Sequence, residues 1–257
     1  MVINIQDDIL KLHAAGLLER LLADKTTGRN IMWATDAYAE HGPDYGRDEP
    51  ITPALITGER SDIIKTRARK AMEQQSERTR RRGEVFTPLW VCEKMIDYAD
   101  EMWFGRAAGF HKTDERGNIR FTQKRPWQKY VQTTRLEITC GEAPFLVTRY
   151  DVETGEMIPV EDRIGILDRK LRAVSENAAD EADWLAWAQK AAQATYGYEF
   201  QGDNLLIARV NVWMSVEEHF QHWRKAQGKR PRKLTKPEGR RLCEVVAWNL
   251  WQMDGLT

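Results

Sequence analysis

Residues 135–149 read Arg-Leu-Glu-Ile-Thr-Cys-Gly-Glu-Ala-Pro-Phe-Leu-Val-Thr-Arg, and this stretch decides the predicted fold. Its first part, 135–139, is compatible with a β-strand. Cys140 and Gly141 follow as a turn. Gly141 lets the main chain come close to a ligand, although such a turn is more often only a tight connection. Pro144 can then open a helix, which we expect to continue to Arg149. The stretch therefore predicts a strand, a turn and a helix in sequence.

The same alternation continues downstream. The residue pattern predicts helices over 180–195 and 203–214, the second capped by Asp203, with a short strand over 196–200 between them. A helix over 240–246 and an apolar, strand-like run over 248–253 follow. Because strands that alternate with helices form parallel sheets, we predict an α/β fold built on a parallel sheet.

The upstream part, residues 1–82, is predicted to be mainly helical. The chain is predicted to begin with an amphipathic helix over 8–22, with Asp7 or Asp8 as its N-cap. Residues 25–58 contain several Gly and Pro residues, which are typical of loops and short elements. Residues 60–82 contain no Gly or Pro, so we expect a long helix with a basic end there. Pro88 can open a further helix, and residues 105–128 are expected to be loop and hairpin.

The composition is typical of a folded, soluble protein. The 257 residues carry 39 basic and 39 acidic side chains; 30% of the chain is charged and 42% is apolar. Zero net charge argues against a histone-like binder, although a local basic patch can exist. The three cysteines are widely spaced, and the sequence has neither a signal-peptide pattern nor a bilayer-spanning apolar run. The expected compartment is therefore a reducing cytoplasm.

Three acidic residues lie at the ends of the three predicted strands: Glu137 in the first, Glu199 at the end of the second and Asp254 just after the third. In an open α/β sheet, ligands bind outside the carboxyl ends of the strands. Carboxylates there accept hydrogen bonds from donors such as ribose hydroxyls and the exocyclic amine of an adenosine. Acids also cap helices near strand ends, and for any one of the three that alternative is equally good. All three together favour a ligand site.

A second compact motif, Gly83-Glu84-Val85-Phe86-Thr87-Pro88, is a β-type segment stopped by a proline. Taken alone, it is an ordinary helix start with Thr87 as the N-cap. The motif indicates a ligand site only when it is considered together with the three acidic residues.

Four segments taken in order, 83–88, 136–146, 196–204 and 249–256, resemble the S-adenosylmethionine-binding motifs of the N6-adenine DNA methyltransferases of restriction-modification systems. The likeness covers roughly residues 80–257, and residues 136–151 are similar to restriction endonuclease modification subunits. It implies an α/β architecture: a partial Rossmann-like S-adenosylmethionine-dependent methyltransferase fold over 83–257, preceded by the mainly helical region over 1–82.

The resemblance assigns the methionine end of the cofactor to two groups of residues. Phe86, Thr87 and Pro88 match the loop that covers the methionine part. Glu137 and Gly141 match the acid and the glycine of the first-strand motif, which hold the methionine end.

The resemblance assigns the adenosine end to the second and third strands. Glu199 matches the acid that binds the ribose hydroxyls, and Asp254 matches the acid that hydrogen-bonds the adenine amine, with Gly255 and Leu256 beside the ring. The remaining residues expected at the cofactor are Thr139, Glu142 and Phe200.

Two departures from the family pattern stand out. The family has Asp-Pro-Ala with two glycines in the first-strand motif, whereas here a single glycine follows Thr139 and Glu142 stands at a small-residue position, where we expect it to narrow the site. In addition, the catalytic Asn/Asp-Pro-Pro-Tyr/Phe motif does not occur in the sequence. That motif positions N6 of a flipped adenine for attack on the cofactor methyl group. No catalytic residue is therefore predicted, and the chain is expected to be inactive alone.

We also expect the strands that would carry this motif and complete the sheet to lie outside residues 1–257. An incomplete sheet exposes a strand edge. We expect either a partner that supplies the catalytic and target-recognition parts or self-association through that edge. Double-stranded DNA is the expected ligand of the complete assembly, and no membrane contact is predicted.

Two basic segments are candidate DNA contacts. Residues 224–241 hold nine basic residues and one acidic residue, a net charge of +8. The candidates there are Lys229, Arg230, Arg232 and Lys233. A smaller patch is formed by Arg78, Arg80, Arg81 and Arg82, and its candidates are Arg80, Arg81 and Arg82. Basic segments are more often simply solvated, and the resemblance is what raises DNA binding above that default.

No metal site is predicted. His219 and His222 lie three residues apart on a predicted helix, without a third ligand at useful spacing. A solvated helix face is the favoured interpretation.

Two other functions are left open. A methyltransferase-derived protein of a phage or plasmid could assemble with, or inhibit, restriction-modification or other defence complexes without catalysis, and the incomplete sheet and Glu142 motivate this alternative. A small-molecule or RNA methyltransferase is the weaker third possibility, because three acids alone do not choose the substrate.

Overall fold

A small parallel sheet packed among helices forms the framework of the protein. The computed structural model describes residues 1–70, 87–107 and 109–254. In these residues the helices are α1 (Ile5–Ala14), α2 (Leu18–Leu22), α3 (Pro53–Ile56), α4 (Leu89–Phe104), α5 (Trp127–Val131), α6 (Ile166–Asn177), α7 (Glu181–Gln193), α8 (Gly202–Ala226) and α9 (Lys236–Asn249). The strands are β1 (Arg135–Ile138), β2 (Thr195–Glu199) and β3 (Leu250–Gln252).

The sheet has the order β1-β2-β3, and both pairs are parallel. The chain passes from β1 to β2 through α6 and α7, and from β2 to β3 through α8 and α9. The predicted α/β class and parallel sheet are therefore confirmed.

The downstream helices lie close to their predicted positions. Asp180 caps α7 by accepting a hydrogen bond from the amide of Asp183. Helix α8 begins at Gly202 with Gln201 as its N-cap, so Asp203 lies in the first turn and is not the cap. It runs 25 residues, well beyond the predicted end at 214. Helix α9 begins with a capping box of Thr235 and Glu238, earlier than predicted.

The helix predicted over 144–149 is wrong. The amides of Leu146 and Val147 both bond to the carbonyl of Ala143, and the chain continues in turns. The amide of Thr148 donates to Asp168 at 2.7 Å instead of continuing a helix. The Thr148 amide thus bonds to a distant side chain and not to a main-chain carbonyl of a helix. The first α-helix after β1 starts only at Ile166.

Two upstream helix predictions also need correction. The helix predicted over 8–22 is divided into α1 and α2 by Gly16, whose φ of +66° ends the first segment. The long helix predicted over 60–82 is wrong for residues 60–70, which contain only 3-10 turns at Gly58–Arg60 and Arg67–Arg69. Residues 71–82 lie outside the described part of the chain.

The region around α4 follows its prediction more closely. Helix α4 starts at Leu89 with Pro88 as the N-cap, so Thr87 does not cap it. Residues 105–128 are mainly loop, with isolated antiparallel bridges between Thr113 and Ile119 and between Thr122 and Arg125.

One hydrophobic cluster joins residues from both sides of the predicted boundary at residue 82. It contains Ile9 and Leu21 from the first part of the chain and Leu205 and Leu242 from the last part. Buried Arg209 adds polar contacts, since its guanidinium donates to the carbonyls of Leu21 and Leu250. No helix in the described residues combines the length and apolar character needed to cross a bilayer.

Candidate functional site

The turn after β1 has an unusual main-chain conformation. Thr139, Gly141 and Ala143 have φ values of +59°, +56° and +67°, so left-handed residues alternate along five positions. Only glycine adopts this region without strain, and a non-glycine residue there is worth examining as part of a site. The amide of Cys140 donates to the carbonyl of Tyr198 at 2.8 Å, which keeps the turn attached to β2.

Glu199 holds this turn in place. Its Oε2 accepts a hydrogen bond of 2.8 Å from the amide of Gly141, and its Oε1 accepts one of 2.9 Å from the amide of Gln201. The side chain is buried, and it stands at the last position of β2. The acid at the end of the second strand is therefore fixed against the glycine turn of the first strand.

Glu137 is the second acidic group at this edge. In the described part of the chain its buried Oε2 has no hydrogen-bond partner. Burial, together with the charge of nearby Glu199, raises the pKa of Glu137 well above its ordinary value. A buried carboxyl oxygen without a partner is suited to a ligand that brings a donor or a positive charge.

Asp254 lies at the same edge of the sheet. It follows β3 by two residues and is exposed, and the neighbouring amide of Met253 donates to the carbonyl of Glu199 at 3.2 Å. The three predicted acids thus lie at the carboxyl ends of three adjacent parallel strands. Phe200, which follows β2, is partly exposed there. Gly255 and Leu256 lie outside the described residues.

The first turn of α4 lies near β1. Phe86 is outside the described residues, but the carbonyl of Thr87 accepts a contact of 3.7 Å from the Sγ of Cys92. Burial, with the charge of Glu137 second, raises the pKa of Cys92 to about 12. The start of α4 is therefore close to Glu137, and the Cys92 thiol is not a ready nucleophile.

Glu142 does not behave as the family position would suggest. Its side chain is 1% exposed, and it accepts hydrogen bonds from the Tyr150 hydroxyl at 2.7 Å and from the Arg67 amide at 2.5 Å. The carboxylate is thus a buried link between the turn and the upstream part of the chain. A ligand at this edge would therefore contact the main chain of Glu142 and not its side chain.

The sequence did not predict that upstream residues close around this edge. The Tyr38 hydroxyl donates to Oδ2 of Asp203 at 2.7 Å, and Lys70 approaches the same oxygen at 3.3 Å, all three side chains being buried. One sequence signal was available: Gly202. A Cβ there would meet the carbonyl oxygen of Met32 at 1.9 Å, so only glycine allows the two segments to approach.

The basic segment has two kinds of residue. Arg232 donates to both Glu181 and Glu238, and its guanidinium lies 4.6 Å from the centre of the Phe220 ring. It is therefore engaged within the fold. The other candidate DNA contacts in this segment are exposed: Lys229, Arg230 and Lys233. Arg80, Arg81 and Arg82 lie outside the described residues.

The two histidines on α8 point to different acids. His219 is buried and lies 2.9 Å from Asp168, so the solvated face expected for it is wrong. His222 lies 3.7 Å from Glu161 near the surface. Among the described residues, no group of three or more His, Cys, Asp or Glu side chains is arranged to hold a metal ion.

Comparisons with protein-family models, with curated proteins and with solved structures found no match to this chain.

Proposed function

We propose that this chain binds S-adenosylmethionine as the cofactor-binding part of an N6-adenine DNA methyltransferase of a restriction-modification system. One observation carries the proposal. Glu137, Glu199 and Asp254 lie, in that order, at the carboxyl ends of three adjacent parallel strands, and a glycine turn follows the first. This order supports a partial Rossmann-like fold with its ligand at that edge.

The polar groups at the edge fit this cofactor. Oε2 of Glu137, which has no hydrogen-bond partner among the described residues, suits the ammonium group of the methionine end. Glu199 is held by two main-chain amides, and a carboxylate has further lone pairs that can accept from ribose hydroxyls. Asp254 is exposed at the end of β3 and would accept from the adenine amine. The cofactor supplies the transferable methyl group, while these residues bind and orient it.

The chain would methylate DNA only with a partner that supplies the catalytic motif. In that assembly, duplex DNA would contact the exposed cations of the basic segment, Lys229, Arg230 and Lys233. The three cysteines are free and buried, which agrees with a protein of a reducing cytoplasm.

Titration calorimetry tests cofactor binding. The wild-type chain should bind S-adenosylmethionine, and Asp254→Asn and Glu199→Gln should each weaken the affinity at least tenfold. Glu244→Gln is the matched control, because Glu244 pairs with Arg20 and Lys25 on α2 and the following loop, outside the proposed site. Circular dichroism must show that each variant is folded. A wild-type chain that does not bind the cofactor would refute the proposal.

The second candidate function is an interaction protein derived from a methyltransferase. The contact between Glu199 and the Gly141 amide favours it, since the carboxylate already has a partner within the turn. On this alternative, the chain acts on restriction-modification or other defence complexes. The same titration would then give no cofactor binding, and Glu199→Gln would change only stability.

A further inference from the structure

The two faces of the sheet differ in covering. Strand pairing places Leu136 beside Tyr196, and Ile138 beside Tyr198 and Trp251. Paired residues of parallel strands point to the same side, so these five uncharged side chains share one face, which we call the aromatic face. Tyr198 and Trp251 stack on it with their ring centres 5.9 Å apart.

The opposite face is covered by the crossover helices. Lys170 of α6 donates to the Thr195 hydroxyl, and Arg209 of α8 donates to the Leu250 carbonyl. Thr195, Glu199 and Leu250 are at most 6% exposed. On the aromatic face, by contrast, Leu136 is 43% and Ile138 is 54% exposed. Parallel sheets are normally covered on both sides, and among the described residues the aromatic face has no second layer of this kind.

The free side of β1 lies next to a second apolar surface. In the described residues β1 pairs only with β2, which leaves its other edge open. Helix α4 runs beside β1, where Arg135 donates to the carbonyl of Ala99 at 3.2 Å. Four apolar side chains of α4 are 52–68% exposed: Trp90, Met95, Tyr98 and Met102. Met95, Tyr98 and Met102 follow one another at intervals of three and four residues, so they line one side of the helix, which we call the α4 stripe.

We propose that the aromatic face, the open edge of β1 and the α4 stripe together bind a strand-helix unit of a second, different polypeptide. The strand would pair with β1, with one side on the α4 stripe, and the helix would cover the aromatic face. Such a strand must be apolar on both sides, as strands inside parallel sheets are. That this partner is the catalytic chain rests on the proposed function.

A second copy of the chain is a poorer occupant. A twofold axis perpendicular to the sheet would pair the two β1 edges but leave both aromatic faces exposed on one side. A twofold axis in the plane of the sheet would stack the faces but leave both edges open. Neither arrangement covers both surfaces, whereas a strand-helix unit does.

The exposed area is also large enough for a stable complex. With about 150–250 Å² for a whole aromatic side chain, the exposed apolar side chains here total on the order of 700 Å². Trp248, 51% exposed at the end of α9, is included. The largest patch on a typical monomer is about 300–600 Å², and a standard interface buries about 800 Å² per partner.

Site-specific photocrosslinking in the producing cells tests the docking surface. A benzophenone amino acid would replace Ile138 or Tyr98 in the full chain, and Leu10, which is partly exposed on α1, would serve as the control position. Both test positions should crosslink to one and the same different polypeptide, Tyr98 to a strand and Ile138 to a helix, as mapped by mass spectrometry. Crosslinks to a second copy, to two unrelated chains or to nothing would overturn the proposal.

The affinity between the purified components then measures the contribution of each position. The purified chain should bind the identified polypeptide, and Ile138→Lys and Tyr98→Lys should each weaken the affinity at least tenfold, whereas Leu10→Lys should not. Thermal melts check that the variants are folded, and equal effects at all three positions would count against docking. A chain that docks but does not bind S-adenosylmethionine would defeat only the proposed function. A chain that binds the cofactor without docking would defeat only this inference.

Discussion

The amide of Gly141 donates a hydrogen bond of 2.8 Å to Oε2 of Glu199, and this bond ties the turn after β1 to the end of β2. The carboxylate therefore has a structural role in addition to any role with a ligand. An alanine at this position would leave two main-chain amides without their acceptor. Glutamine keeps one acceptor oxygen, which makes Glu199→Gln the better variant for separating binding from folding.

Glu137→Gln should stabilise the protein at neutral pH. Burial raises the pKa of Glu137 in the folded protein above 4.5, the ordinary pKa of a glutamate side chain. The protonated carboxyl therefore makes its full contribution to stability below pH 4.5. This contribution is lost as the pH rises through the folded pKa. Glutamine stays neutral at every pH. Between pH 4.5 and the folded pKa, the difference in free energy of unfolding between Glu137→Gln and the wild type should therefore grow by about 1.4 kcal/mol per pH unit. Urea denaturation from pH 4.5 to 8 measures it.

Glu244→Gln is the control for this pH effect. A hydrogen bond from Lys25 holds the pKa of Glu244 below its ordinary value, and the side chain is 40% exposed. Its removal should give a small change of opposite sign. A constant difference between Glu137→Gln and the wild type across the pH range would contradict the prediction.

Arg209→Met should destabilise the fold by about 3–5 kcal/mol. The buried guanidinium donates to the carbonyls of Leu21, Ala23, Ala247 and Leu250, and so joins the start of β3 to the region after α2. Burial lowers the pKa of Arg209 to about 10. Methionine fills a similar space but leaves these carbonyls without donors. Thermal denaturation measures the loss.

Arg20→Met is the matched variant for Arg209. Its guanidinium pairs with Glu244 on the surface at 2.8 Å, and exposed pairs contribute about 0–1 kcal/mol. Equal losses for the two arginine variants would show that the buried carbonyls do not depend on Arg209.

Thr139→Gly should raise the stability by about 1 kcal/mol. Thr139 is exposed and has a φ of +59°, a strained conformation for a β-branched residue. Thr134 is also exposed but is not among the residues with positive φ. Thr134→Gly should therefore lower the stability, since glycine there only increases the freedom of the unfolded chain. Chemical denaturation of the two variants decides the point, and a loss for Thr139→Gly would refute it.

The exposed cations of the basic segment should control DNA binding by the chain. Replacing Lys229, Arg230 and Lys233 with glutamine should reduce the salt dependence of duplex binding by about 0.9 per lost phosphate contact. Arg232→Gln should instead lower stability, because Arg232 pairs with Glu181 and Glu238. Fluorescence anisotropy with a 20-bp duplex at several salt concentrations separates the two cases. An unchanged slope for the triple variant would exclude this segment from the DNA interface.

Much of the sheet could be predicted from local pattern. The bounds of β1, β2 and β3 were predicted to within one or two residues. Short apolar or β-branched segments between predicted helices are recognisable as strands from the neighbouring sequence alone. The edge where Glu137, Glu199 and Asp254 meet follows from parallel pairing. The helix prediction for 144–149 was wrong for the opposite reason: the amide of Thr148 donates to the carboxylate of Asp168, twenty residues away.

Burial of polar groups was not predictable from the sequence. His219 looked like part of a solvated face, yet it lies against Asp168 inside the protein. Glu142 looked like an obstacle in a turn, yet Tyr150 and Arg67 hold it in the interior. In each case the partner is distant in the sequence or on another element, so no local pattern reports the contact.

The sequence by itself determined the α/β class, the parallel order of three strands and the placing of three acids at one edge, because strand alternation and parallel pairing are consequences of local pattern and chain connectivity. Only the tertiary structure decided that Glu199 holds the Gly141 turn, that Tyr38 and Lys70 reach Asp203, and that one face of the sheet is left partly exposed. These features arise from long-range packing, in which each group takes the partner that burial offers it.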